Sequence, residues 1–147
     1  MIRYLSLAFF AAVLAISAPA LAQSTARAAA DITGVWATGK KGGKVEIYQC
    51  GQALCGRVVD ADILRTEPDR RDVHNKNKAL RDRRLKGLVV LQNFTGGPPK
   101  WKGGPIYDAE KGEGAKRGSL ELQSDGRLKV SGCFLFICRS QVWTRVK

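Results

Sequence analysis

Residues 44–60 read "KVEIYQCGQALCGRVVD". Lys44-Val45-Glu46-Ile47-Tyr48-Gln49-Cys50 is a short β-rich run; the alternation of a strand with one buried face shows most clearly later, in "LELQ" (120–123) and "LKV" (128–130). Cys55-Gly56-Arg57-Val58-Val59-Asp60 is a second run rich in β-branched residues. The two runs predict strands over 44–50 and 55–60, joined at a hairpin tip with a cysteine on either side. Residues 133–138, "CFLFIC", repeat the same cysteine spacing, and these four are the only cysteines of the chain. Facing residues of an antiparallel pair sit about 4.5–5.5 Å apart at Cα, a span that a disulfide accepts.

Working outward, further short runs predict strands over 33–38, 86–94, 101–107, 117–123, 127–133 and 138–146. "GKKGG" (39–43) and "TGGPP" (95–99) punctuate them. Asp125-Gly126 predicts a two-residue type I′ hairpin, because that turn needs positive φ at both central positions. A helical turn is expected only within 75–83. Eight short strands in close succession predict an all-β domain over 31–147, a small antiparallel up-and-down barrel whose closure removes sticky edges. Four cysteines allow three connectivities. In a meander successive turns alternate between the two ends, so the second and seventh turns lie apart, and this favours the local pairs Cys50–Cys55 and Cys133–Cys138.

The N-terminus supports pairing over metal binding. Residues 1–22, "MIRYLSLAFFAAVLAISAPALA", carry one cation, an apolar run and an A-x-A ending, the pattern of a secretory signal peptide cleaved after Ala22. Residues 23–30 read as a disordered leader. The apolar run is shorter than the roughly 20 residues a membrane span needs, so the mature chain is expected without a transmembrane span, in the periplasm or secreted. Thiols pair in such compartments. With His74 as the one histidine, zinc is disfavoured, and no metal or cofactor is expected.

The formal charge is +12, and residues 65–86 hold nine Lys/Arg against four Asp/Glu. Such a surface draws anions: an anionic envelope surface, an acidic polymer or a phosphate-rich lipid. Nucleic acid is excluded as the expected partner, since no helix-turn-helix, zinc finger or aromatic RNA-binding motif accompanies the charge. No catalytic elbow or H-E-x-x-H occurs, and His74 stands alone on a loop, so the chain is read as a non-enzyme. Within 72–84, Asp72, Asn75, Asn77, Arg81 and Arg83 are suited to pin a long loop as a lid or plug through side-chain-to-backbone bonds. "FLFI" (134–137) is expected to fold back on the core rather than face water, with contact to a membrane as the second reading and contact to a partner as the third.

"GVW" (34–36) resembles the G-x-W opening of lipocalins, in which an arginine of the last strand covers the tryptophan; Arg139 and Arg145 are the candidates here. The longer succession "GVWAT", "VEIYQCGQALCGRVVD", "DVHNKNKALRDRRLKGLVVLQNF", "WKGGPIYD", "DGRLKVSGC" and "CRSQVWTR" resembles, over 33–145, the exported bacterial family called domain of unknown function 2147. The chain departs from that pattern after Asp108, where "AEKGEGAKRGS" lacks the family's proline and tyrosine. The resemblance implies a lipocalin-like barrel and no particular activity. A small apolar or amphipathic ligand, with or without an anionic group, is then the expected partner. Trp36, Tyr48, Tyr107 and Trp143 are its candidate aromatics, and Arg81 and Arg83 its candidate anion contacts. The alternative is an envelope- or protein-binding scaffold that acts through the basic face and the apolar tip.

Overall fold

The two strands expected over 44–60 pair as an antiparallel hairpin. Val45 and Ile47 are buried, and Tyr48 lies on the outer face beneath Arg57. A computed structural model describes residues 31–146; the expected signal peptide and leader lie outside the described residues. Its elements are β1 (Gly34–Ala37), β2 (Lys44–Cys50), β3 (Ala53–Asp60), α1 (Asp62–Thr66), a 3₁₀ turn (Lys78–Leu80), β4 (Val89–Gly97), β5 (Lys100–Gly103), β6 (Ile106–Asp108), β7 (Glu113–Ala115), β8 (Arg117–Leu122), β9 (Leu128–Phe134) and β10 (Ile137–Arg145). The domain is all-β apart from those two short helical pieces.

Ten strand segments make eight staves. β5 and β6 keep one register against β4, with Gly96 opposite Trp101 and Leu91 opposite Ile106. They also keep one register against β8 and β7, with Gly103 opposite Gly118 and Ile106 opposite Ala115. Each pair is therefore a single stave, broken at Gly103-Gly104-Pro105 and at Lys116. The break needs glycine: a Cβ on Gly103 would lie 2.2 Å from the Asn93 carbonyl oxygen, and one on Gly104 2.9 Å from the Arg117 Cα. Every stave is antiparallel to its neighbours, β1 pairs with β10, and β3 pairs with β4, so the ring closes as an eight-stranded meander.

The alternation of turns sorts the connections into two ends. At one lie 38–43, 61–88, 109–112 and the tip 135–136; we call it the lid end. At the other, the cleft end, lie 31–33, 51–52, 98–99 and 123–127. Cys50 is bonded to Cys55 at the cleft end and Cys133 to Cys138 at the lid end. Between the ends the barrel is packed: Trp36, Ile47, Leu91, Phe94, Leu120 and Leu128 are each at most 1% exposed.

Three local expectations need correction. At 123–127 only Gly126 takes positive φ (80°), and its N–H bonds to the Gln123 carbonyl, so the turn centres on Ser124-Asp125 with Gly126 in the left-handed position that follows it. The helical turn expected within 75–83 is present at Lys78–Leu80, but it is not the one helical piece: α1, too short for a visible period, precedes it. The "FLFI" tip does not fold back: Phe134, Leu135, Phe136 and Ile137 are 57%, 81%, 99% and 67% exposed. Among the described residues no helix is long and apolar enough to cross a membrane.

Candidate functional site

The cleft end is organised by Trp36. Its indole Nε1 donates to the Ile32 carbonyl at 2.9 Å, which folds residues 31–33 across the start of β1. Arg145 lies 4.5 Å from the ring centroid and donates through Nη1 to the Thr33 carbonyl at 2.7 Å and through Nη2 to the Asp31 carbonyl. Of the two arginines the resemblance offered, Arg145 is therefore the partner. An exposed guanidinium over a buried indole contributes about 1 kcal/mol, and here it also fixes two carbonyls that rim a cavity.

That cavity is a cleft of about 410 Å³ lined by Asp31 and Thr33, the β2–β3 hairpin and the β4–β5 hairpin. Leu54, Phe94, Pro98 and Trp101 supply its apolar wall, and Asp31, Thr33, Gln49, Gln52 and Thr95 its polar rim. The Cys50–Cys55 bridge holds one wall. The other wall turns on Pro98-Pro99, where a fixed φ stiffens the loop. The exposed lining is more polar than apolar, with Pro98 and the edges of Leu54 and Trp101 as its apolar part.

The lid end is built differently. The 61–88 segment crosses the opening from the β1–β2 connection, where the Asp62 N–H donates to the Lys41 carbonyl (2.9 Å), to the β6–β7 turn, where the Lys76 N–H donates to the Gly112 carbonyl (3.0 Å). Leu64 and Leu88 are buried beneath it, and Leu85 packs against the core. The knot is Asp72, 1% exposed. Its carboxylate accepts from the Tyr107 hydroxyl (2.6 Å), Arg83 Nη2 (2.7 Å) and Asn75 Nδ2 (2.8 Å). Burial, then the bond to Asp72, pushes the Tyr107 phenol up to about 12. Asn75, Asn77, Arg81 and Arg83 make the side-chain-to-backbone bonds expected of them, Arg81 Nε to the Asn75 carbonyl (2.8 Å) among them. At the lid's base Asp60 pairs with Arg65 and Lys44, each at 2.9 Å, and these cations, Arg65 first, hold its carboxyl down at about 2.

The six candidate ligand residues therefore fall into separate places. Trp36 and Trp143 are core side chains, with Trp143 Nε1 bonded to Gln141 (3.1 Å). Tyr48 is on the outer wall. Arg81, Arg83 and Tyr107 belong to the lid, with Arg83 5.6 Å from the Tyr107 ring. The structure brings Tyr107 and Arg83 together through Asp72 and joins none of the six to the cleft. The cleft's Leu54, Phe94 and Trp101 were not singled out from the sequence; the available signal was their position beside turns that alternation assigns to one end. His74 is exposed, and its backbone carbonyl packs against Gly112. Among the described residues no group of His, Cys, Asp and Glu is placed to hold a metal ion.

With this geometry in hand, residues 34–145 match the family described as "Uncharacterized protein conserved in bacteria (DUF2147)". The chain belongs to that family. Among solved structures it is similar to protein HP1028 of the human pathogen Helicobacter pylori, described as belonging to the lipocalin family. The TM-score is 0.69 at 21% identity, over 80% of this chain and 84% of that one. At that identity the likeness is one of fold, and it agrees with the closed eight-stave ring. No curated protein matches the chain.

Proposed function

We propose that this DUF2147 protein is an exported binding protein, not an enzyme, and that it takes a small amphipathic ligand in the cleft between the β2–β3 and β4–β5 hairpins. The observation that carries the reading is the cleft itself, about 410 Å³ with an apolar wall and a polar rim, on a lipocalin-like barrel whose centre is already filled. The ligand lies at the barrel's end, with its apolar part against Pro98 and the edges of Leu54 and Trp101 and its polar part toward Gln49, Gln52 and Thr95. Asp31 is the one charged residue of the lining. That favours a neutral or cationic polar group here; the anion attraction expected from the net charge belongs to the other end. Two disulfides suit an oxidising compartment, in keeping with cleavage near Ala22 and residence in the periplasm or beyond.

The experiment is a titration with the neutral probe N-phenyl-1-naphthylamine, followed by its emission and by quenching of tryptophan. Saturable binding is expected, and Ala53→Phe, which places a ring in the cleft, should abolish it without lowering Tm. Unchanged binding in that variant sinks the assignment. Mass spectrometry of material from an osmotic-shock fraction should show a chain beginning at Gln23.

A further inference from the structure

The lid end exposes what a folded domain usually hides. Among the described residues, seven of the nine exposed large apolar side chains are there: Ile63, Val73, Leu80 and the four of the tip. The tip is a two-residue hairpin in which Phe134 faces Ile137, with Cys133 bonded to Cys138 one step below. The staple keeps the four apolar side chains projecting, so no ordering cost falls due when they are buried. Charge is sorted the same way. The connections of the lid end carry twelve Lys/Arg against six Asp/Glu, whereas those of the cleft end carry one against two. Arg117 lies beside Cys133 on β8, and Arg139 follows Cys138 on β10. Both are exposed, and neither is among the ion pairs found within the described residues.

We propose that the lid end docks on an anionic lipid bilayer, with Leu135 and Phe136 sunk among the acyl chains and the cations of 65–86, Arg117 and Arg139 against the lipid phosphates. Interfacial anchoring combines buried apolar area with attraction to anionic headgroups, and this end supplies both. A protein groove would accept the tip but gives no reason for the surrounding positive charge. A second copy would set that charge against itself. A bilayer matches both features and leaves the cleft end, with its ligand opening, turned away from the lipid. The docking does not rest on the ligand proposal.

The test is co-sedimentation of the purified protein with vesicles of phosphatidylcholine alone and of phosphatidylcholine with phosphatidylglycerol. The protein should sediment with the second, and the binding should weaken as salt rises, each cation at the surface being worth about fivefold. Leu135→Asn with Phe136→Ser, which suits the positive φ of Leu135, should lower partitioning on the order of 100-fold, about tenfold per side chain. In Phe136→Trp the introduced indole should be quenched by brominated phosphatidylglycerol, while the three native tryptophans, none more than 6% exposed, stay unquenched. The proposal fails if phosphatidylglycerol vesicles leave the protein in solution, or if the double variant binds them as well as wild type. It also fails if wild type sediments as a dimer that the double variant dissolves, since the tip would then be an interface between copies.

Discussion

Two hairpins of this barrel carry the same staple, a disulfide across five positions, and present opposite surfaces. In the first, Cys50 faces Ala53 and Cys55 faces Tyr48, and the enclosed Leu54 turns inward to 7% exposure against the wall of the cleft. In the second, Cys133 faces Cys138, and everything enclosed points to water. The staple fixes a backbone and leaves the fate of its side chains to the end of the barrel where it sits. At the cleft end the opening is free, and Leu54 can reach Phe94. At the lid end Leu64, Leu85 and Leu88 already occupy the opening, so the "FLFI" side chains have no apolar surface to fold against.

The lid therefore matters most to the integrity of its own end. The largest effect is expected from Asp72→Ala, which strands the half-buried Tyr107 hydroxyl and the buried Asn75 amide and leaves Arg83 without its carboxylate. A loss of about 3 kcal/mol follows in urea denaturation, discounted because Arg83 is partly solvated. Trypsin should then cut within 65–86 while the cleft still binds its probe. Equal loss of probe binding would show that the two ends are one cooperative unit.

The staples come next. Cys50→Ser with Cys55→Ser, and Cys133→Ser with Cys138→Ser, should each cost about 2 kcal/mol, because the closed loops are of the same length. A backbone device is indifferent to its contents, so matching losses in urea support the comparison and a large mismatch breaks it. The contents should separate in binding: the first pair weakens the cleft, the second the vesicles.

Arg145→Ala is smaller. It removes the stack on Trp36 and the bonds to the Thr33 and Asp31 carbonyls, about 1–2 kcal/mol in all. Because those carbonyls rim the cleft, probe affinity should fall while vesicle binding holds. The same affinity in the variant would mean that residues 31–33 keep their place without the guanidinium.

How far the sequence foretold this division depends on the range of each interaction. The eight staves, the local disulfides and their placement at opposite ends were legible, since alternation, turn residues and meander geometry are properties of neighbouring residues. The lid's pinning by Asn75, Asn77, Arg81 and Arg83 was legible too, being local bonds within one loop. Asp72 was read as part of that local set, but its bond to Tyr107 spans 35 positions, and no pattern within the loop announces it. The exposed tip was misjudged for a related reason. Whether four apolar residues fold back depends on free space in a barrel opening, and that space is taken by leucines more than 40 residues away in sequence. The cleft escaped notice because its lining comes from three connections that become neighbours only when β3 pairs with β4.

The smallest effect tests the two ends by pH. Tyr107 has its proton held more tightly in the folded state than the ordinary phenol value of 10.0, up to about 12. A raised acid of this kind stabilises the fold below pH 10, and the contribution is lost as pH rises through about 12. Asp60 is the mirror case. Its value is depressed to about 2, so its support for the lid's base is complete above pH 4 and is lost as pH falls through 2. Asp125, at the cleft end, is also lowered by its bond to Arg127. Acid should therefore loosen both ends, whereas alkali should loosen the lid first. Hydrogen exchange or tryptic cleavage at 65–86 ought to accelerate between pH 10 and 12 before probe binding at the cleft is affected. Tyr107→Phe should remove that alkaline step, at about 1 kcal/mol of stability for the lost bond to Asp72. An alkaline step that persists in Tyr107→Phe would assign the transition to another group and detach the phenol from the lid.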